Sequence, residues 1–205
     1  MLIKKKLIIF DLDGVLINSL PNMVYSWNAV KKKFNLKSTF KDYRKFIGLP
    51  FYEILSKLKF NKLKKEIFNT YNENSTMRFN KIKVYKGTNE VLKKIKKKNY
   101  IAIFTSKNEK RTKLILRKIK INFDMVITPE YLLKGKPHPE GINIIKKNFK
   151  TLNKNTFYVG DTEFDRLAAE KAGINFFFAD WGYGSIIKNK KIIKIKKIKE
   201  IFKHI

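Results

Sequence analysis

The stretch LIIFDLDGVLINSLPN, residues 7–22, places four consecutive apolar residues directly before Asp11, Leu12, Asp13 and Gly14. A short continuous apolar run bounded by turn residues predicts a strand buried on both faces. Two like charges at the end of such a strand repel each other, so Asp11 and Asp13 call for a cation beside or between them.

Other runs of the same kind follow at Ile101–Phe104, Met125–Ile127, Phe157–Val159 and Phe176–Ala179. Amphipathic stretches at Glu90–Lys97, Lys110–Lys118, Glu140–Lys147 and Phe164–Ala172 separate them. Continuous apolar strands alternating with helices predict an α/β fold, a Rossmann-like parallel sheet covered on both faces. The segment from Asn18 to Ile82 breaks this alternation and reads as helix after helix. Trp27, Phe34, Phe46, Leu55, Leu58, Ile67 and Phe68 are available for a small core of its own. The expected organisation is therefore an α/β core from residues 1–17 and 83–205, with an inserted all-helical domain at 18–82. The lysine-rich stretch from Lys188 to Lys199 is expected to form a last short strand and a C-terminal helix.

The chain has 205 residues, enough to bury a substantial core. It has no cysteine, which excludes disulfides, thiolate metal sites and sulfur nucleophiles. The 47 Lys and Arg residues outnumber the 17 Asp and Glu, for a formal charge of +30. Most of that excess is lysine scattered along the chain among Ile, Asn and Phe, as a base-composition bias would produce, and no nucleic-acid-binding motif accompanies it. Any adhesion to nucleic acid is expected to be weak, independent of sequence and sensitive to salt. No apolar run is long enough to span a bilayer, and Met1 to Phe10 lacks a secretory cleavage pattern, so a cytoplasmic protein is expected.

In a parallel α/β sheet, ligands bind beyond the carboxyl ends of the strands. Polar groups gather there: Asp11 and Asp13 after the first strand, Thr105 and Ser106 after YIAIF, Asp161 and Asp165 after TFYVG. Lys136, in KGKPHP at 134–139, stands just before a helix. The order DLDGV, strand-end Thr, Lys-Pro and GDTEFD resembles the haloacid dehalogenase superfamily of phosphatases, and the resemblance covers nearly the whole chain. LINSLPNM, RKFIG, the run from Val84 to Lys107 and WGYG are most similar to the phosphoglycolate phosphatase branch.

The resemblance implies a Mg2+-dependent phosphatase of a small phosphorylated metabolite, with residues 18–82 as its helical cap. It implies Asp11 as the nucleophile that becomes an aspartyl-phosphate, and Asp13 as general acid and base. Asp11, the backbone carbonyl of Asp13 and Asp161 would hold Mg2+, with Asp165 bracing the site. Thr105 and Lys136 would bind the phosphoryl oxygens. Gly14 would let the chain pass close to the phosphate, and Ser106, Lys107 and Arg44 are candidate substrate contacts, with Lys57 a further available cation.

Plainer readings stand beside these. Asp161, Asp165, Thr105 and Ser106 could cap helices, Lys134 rivals Lys136, His138 could be a surface residue, and Trp181 and Tyr183 could simply pack a loop. Asn18 and Asn22 stand where that branch usually has aspartates, and Val15 where threonine is commoner. Two alternatives remain: a phosphosugar mutase similar to β-phosphoglucomutase, whose cap usually has a histidine where Met23 aligns, and a catalytically idle binding protein of the same fold.

Overall fold

The computed structural model describes residues 5–185 and 192–205. Its centre is a six-stranded, wholly parallel sheet built from β1 (Leu7–Phe10), β4 (Tyr100–Phe104), β5 (Met125–Ile127), β6 (Thr156–Gly160), β7 (Asn175–Ala179) and β8 (Ile193–Ile195). The strand order is β5-β4-β1-β6-β7-β8, so β1 lies inside the sheet with Phe10 paired to Ile103 on one side and Val159 on the other. All four β1 side chains are fully buried, each contributing about 1.5–3 kcal/mol of apolar burial.

Alternation along β1 divides the core. Ile8 and Phe10 join Val91, Ile95, Ile115 and Ile198 on one face, while Leu7 and Ile9 join Ile142, Ile145, Ala168 and Ala169 on the other. The first face is covered by α5 (Thr88–Lys96), α6 (Glu109–Leu116) and a C-terminal 3-10 helix, Ile198–Lys203. The second is covered by α7 (Glu140–Phe149) and α8 (Glu163–Lys171). Burial on both sides explains why the strand sequences show no polar alternation.

Between β1 and β4 the chain forms α1 (Leu20–Lys33), α2 (Phe40–Arg44), α3 (Phe51–Lys57) and α4 (Lys64–Met77). These enclose a separate apolar cluster around Trp27, Tyr43, Leu55, Ile67 and Tyr71, with Phe34, Phe46 and Leu58 half-buried at its edge. No helix of the described residues is long and apolar enough to cross a membrane.

Several expectations need adjustment. The helices and strands keep their places, but their ends shift by one or two residues. A short antiparallel ribbon, β2 (Ile17–Asn18) with β3 (Lys83–Val84), joins the two ends of the helical segment; the expected limit at 17/18 lies inside β2 and that at 82/83 directly before β3. Ile82 is buried in the sheet's core rather than in the helical cluster. Phe68 stacks on Tyr52 at 5.0 Å and lines the cavity described below. Lys188–Lys191 lie outside the described residues. The strand expected in that stretch is β8, and the C-terminal helix is the 3-10 helix Ile198–Lys203, with Ile198 and Ile201 buried against the core.

Candidate active site

Asp11 follows β1, Thr105 follows β4 and Asp161 follows β6, so three adjacent strands deliver polar side chains to one edge of the sheet. The chain turns sharply after Asp13 because Gly14 adopts φ +81°. A Cβ at Gly14 would sit 2.1 Å from Asp161 Oδ2, and one at Gly182 would sit 2.2 Å from Asp161 Cβ. The close approach that requires Gly14 is thus to Asp161, which two glycines clamp.

Lys136 is fully buried, and its ammonium lies 2.7 Å from both Asp11 Oδ1 and Asp165 Oδ1. Burial opposes its charge, but the two carboxylates more than offset this and raise its pKa. Lys134 is exposed, and its backbone N–H donates to Glu140, so of the two lysines only Lys136 reaches Asp11.

Asp165 is engaged on both oxygens. Oδ1 also accepts from the Tyr158 hydroxyl at 2.7 Å, while Oδ2 accepts from the backbone N–H of Asp161 and from the N–H and hydroxyl of Thr162. Thr162 and Asp165 form the capping box of α8, so the helix N-terminus and the Lys136 anchor share one side chain. Against its burial, Lys136 and these donors hold the Asp165 pKa below the usual carboxylate value.

Asp11 is pushed up to about 7 by burial; Lys136 lowers it, and the neighbouring Asp165 and Asp13 raise it again. Asp161 is raised well above the carboxylate range by burial, then by Asp165 and Asp11. Its Oδ2 accepts the Tyr183 N–H at 2.6 Å, but its Oδ1 is buried with no hydrogen-bond partner among the described residues. Carboxylate oxygens of Asp11, Asp161 and Asp165 lie within 4.8 Å of one another. Lys136 is their only ion-pair partner among the described residues, so three carboxylates share one cation, Asp11 and Asp161 resist ionisation, and one oxygen is orphaned. That donor set fits a hard divalent cation bound through oxygen.

Asp13 stands apart from this cluster. Its Oδ1 accepts from the Ser19 hydroxyl, and its Oδ2 lies 3.0 Å from the Lys107 ammonium. The Tyr183 hydroxyl holds the same turn by accepting the Ser19 N–H and donating to the Ile17 carbonyl. Burial lowers the Lys107 pKa, with Asp13 opposing and Arg111 reinforcing the shift. The Ser106 hydroxyl donates to the Gly48 carbonyl at 2.6 Å, tying the end of β4 to the helical segment. Thr105 is buried, and its hydroxyl accepts the Lys107 N–H at 3.2 Å.

These side chains open into a cavity of about 160 Å³ between the sheet edge and the helices. Asp11, Asp13, Thr105, Ser106, Lys107 and Asp161 line it from the sheet side, and Met23, Tyr43, Phe51 and Tyr71 from the helical side. Arg44 and Lys57 are not among the lining residues: Arg44 donates to the Tyr183 carbonyl at 2.9 Å, and Lys57 is exposed. The guanidinium that lines the cavity belongs to Arg111 on α6, which sequence reading passed over. Its signal was spacing: Arg111 lies four residues after Lys107 and on the inner face of α6 with Thr112 and Ile115. Ser19 was also passed over. Trp181 donates its indole N–H to the Val15 carbonyl and packs the loop, and His138 is a partly exposed side chain beside Glu140.

Residues 8–179 match the sequence family described as haloacid dehalogenase-like hydrolase. A phosphoglycolate phosphatase of Haemophilus influenzae is 29% identical over 201 residues, covering 87% of this chain and 87% of that protein. Pyrophosphatase PpaX of Bacillus mycoides is 26% identical over 179 residues, covering 85% of this chain and 83% of that protein. A solved structure from Haemophilus somnus, described as a predicted phosphoglycolate phosphatase, matches with a TM-score of 0.81 at 26% identity and covers 99% of each chain. A parallel sheet with its carboxylates and buried lysine at one edge, and a family match across most of its length, together establish that this chain belongs to the haloacid dehalogenase-like hydrolases.

Proposed function

We propose that this chain is a Mg2+-dependent phosphatase that hydrolyses a small phosphate monoester through an aspartyl-phosphate on Asp11. The observation that carries the proposal is the buried cluster at the cavity floor, where Asp11 is gripped by Lys136 and Asp161 Oδ1 has no partner. Asp11, Asp161 and the backbone carbonyl of Asp13 are assigned to the metal, with Asp165 orienting Lys136. Bound Mg2+ supplies positive charge that keeps both carboxylates ionised and offsets the charge of the phosphoryl group.

Asp11 attacks phosphorus as its carboxylate, forming the new P–O bond while the ester P–O bond breaks. Asp13 gives its proton to the departing alkoxide. The resulting Asp13 carboxylate then removes a proton from the water that displaces Asp11 and releases phosphate. Ser19 and Lys107 hold Asp13 by its two oxygens, and phosphoryl oxygens entering the site compete with Asp13 for Lys107. Thr105 and Lys136 are assigned to the transferring phosphoryl group. The segment 18–82 is assigned the role of a cap that covers the cavity and excludes water, consistent with Tyr43, Phe51 and Tyr71 lining one side of it. Met23 lines the cavity where the mutase resemblance would place a histidine; a thioether cannot move a proton, which favours hydrolysis over phosphoryl transfer between sugars.

Mg2+ should restore hydrolysis of a generic aryl phosphate to chelated protein and raise its thermal midpoint, since a ligand of the native state at 100 times its Kd stabilises by about 2.7 kcal/mol. Full activity after exhaustive chelation would remove the metal from the proposal.

The Asp13→Asn variant should bind Mg2+ normally yet lose turnover of alkyl phosphates by about 100-fold or more, the scale of general acid and base catalysis. Activated aryl phosphates need less protonation of the leaving group, so phosphorylation of Asp11 should suffer less with them and the intermediate should accumulate. Rapid-quench labelling measures this. Wild-type turnover of alkyl phosphates by the variant contradicts the role given to Asp13.

A further inference from the structure

Arg111 is 6% exposed, yet its Nη1 has no hydrogen-bond partner among the described residues. Its Nη2 reaches Asn22 Oδ1 only at 3.5 Å, a marginal contact, and no carboxylate lies within ion-pair distance of it among the described residues. A buried guanidinium without an anion is expensive to keep unless a ligand completes it. Burial pushes its guanidinium pKa down, and Asp13, the carboxylate that opposes this, is already paired with Lys107. Lys107 and Arg111 against a single Asp13 leave one positive charge at this wall of the cavity.

The cavity limits what can complete it. Its volume of about 160 Å³ is close to the roughly 150 Å³ that holds one benzene-sized molecule. Arg111 opens into the same space as Asp11 and Thr105, so one compact molecule can meet both ends. Building on the phosphatase reading, we infer that Arg111 is a specificity-determining residue that binds a second anionic group, carboxylate or phosphoryl, on the leaving portion of a compact phosphate substrate. Leaving-group charge is then read by α6 at the sheet edge, and Arg44, held by the Tyr183 carbonyl, has no part in it.

The test compares 2-phosphoglycolate, its uncharged primary amide and inorganic pyrophosphate on wild type, Arg111→Met and Arg111→Lys, by kcat/KM and by ligand-induced thermal shift. Wild type should favour phosphoglycolate, pyrophosphate or both over the amide by on the order of a hundredfold, as expected for hydrogen bonds to a charged group. Arg111→Met should erase that preference by lowering kcat/KM for the anionic substrates far more than for the amide, and Arg111→Lys should restore part of it. Which anion depends on Arg111 identifies the second group as carboxylate or phosphoryl. Unliganded Arg111→Met should melt no lower than wild type, because it removes an unpaired buried charge; a large drop would make Arg111 a structural residue instead. Equal use of amide and anion by wild type, or a preference that survives Arg111→Met, overturns the inference. If wild type hydrolyses none of the three probes nor an aryl phosphate, the phosphatase reading fails. The thermal shifts then decide Arg111 alone: anion-selective stabilisation lost in Arg111→Met upholds its role, and its absence from wild type overturns it.

Discussion

Asp11→Asn is expected to reduce turnover of every phosphate ester by at least about 10⁴-fold and to leave no phosphoenzyme after rapid quenching. Removal of a covalent nucleophile eliminates the reaction path itself, and such losses reach about 10⁶-fold where they have been dissected. An amide in the same place also withdraws an anion from the pair assigned to the metal, so Mg2+ should shift the thermal midpoint less than in wild type. Folding should survive, because Lys136 keeps Asp165 as a partner 2.7 Å away and one of the mutually repelling carboxylates is gone. Labelled phosphate attached to a residue other than Asp11, or turnover near the wild-type rate, would show that a different group attacks.

Lys136→Met should have the largest effect on stability. The substitution keeps much of the side-chain volume but leaves Asp11 and Asp165 buried without their shared cation, and breaking a buried ion pair this way costs about 3–5 kcal/mol. For a chain of this size the thermal midpoint should fall by about 10 °C. The damage should be non-additive: Lys136→Met combined with Asp11→Asn should be less destabilised than the two single effects summed, because the second change removes one of the stranded charges. Phosphatase activity should be lost in the single variant even at temperatures where it is folded. A midpoint within about 2 °C of wild type would mean that Lys136 is not the counter-charge that holds this cluster together.

The two variants separate catalysis from scaffolding because their target residues were legible to different degrees in the sequence. Asp11 and Asp13 stood out because an apolar run ending in two carboxylates is uncomfortable without a cation, and that discomfort is local. Lys136 was one lysine in a lysine-rich chain, and only the prolines around it drew notice. Its burial between carboxylates 125 and 29 positions away in sequence depends on β1, α8 and the loop after β5 converging, which no local pattern records. Arg44 illustrates the converse: a cation in the right segment, but held by a carbonyl on the far side of the chain.

Sequence by itself determined the parallel α/β layering, the place of the helical segment and the edge of the sheet where polar groups gather. These follow from periodicity and strand order, properties carried by a few neighbouring residues at a time. Only the tertiary structure decided that Gly14 clears Asp161, that Asp165 both caps α8 and holds Lys136, and that Arg111 is the cavity's guanidinium. Each of these is a meeting of side chains far apart along the chain. Charge, burial and a missing hydrogen-bond partner become visible there only once packing has set the distances between them.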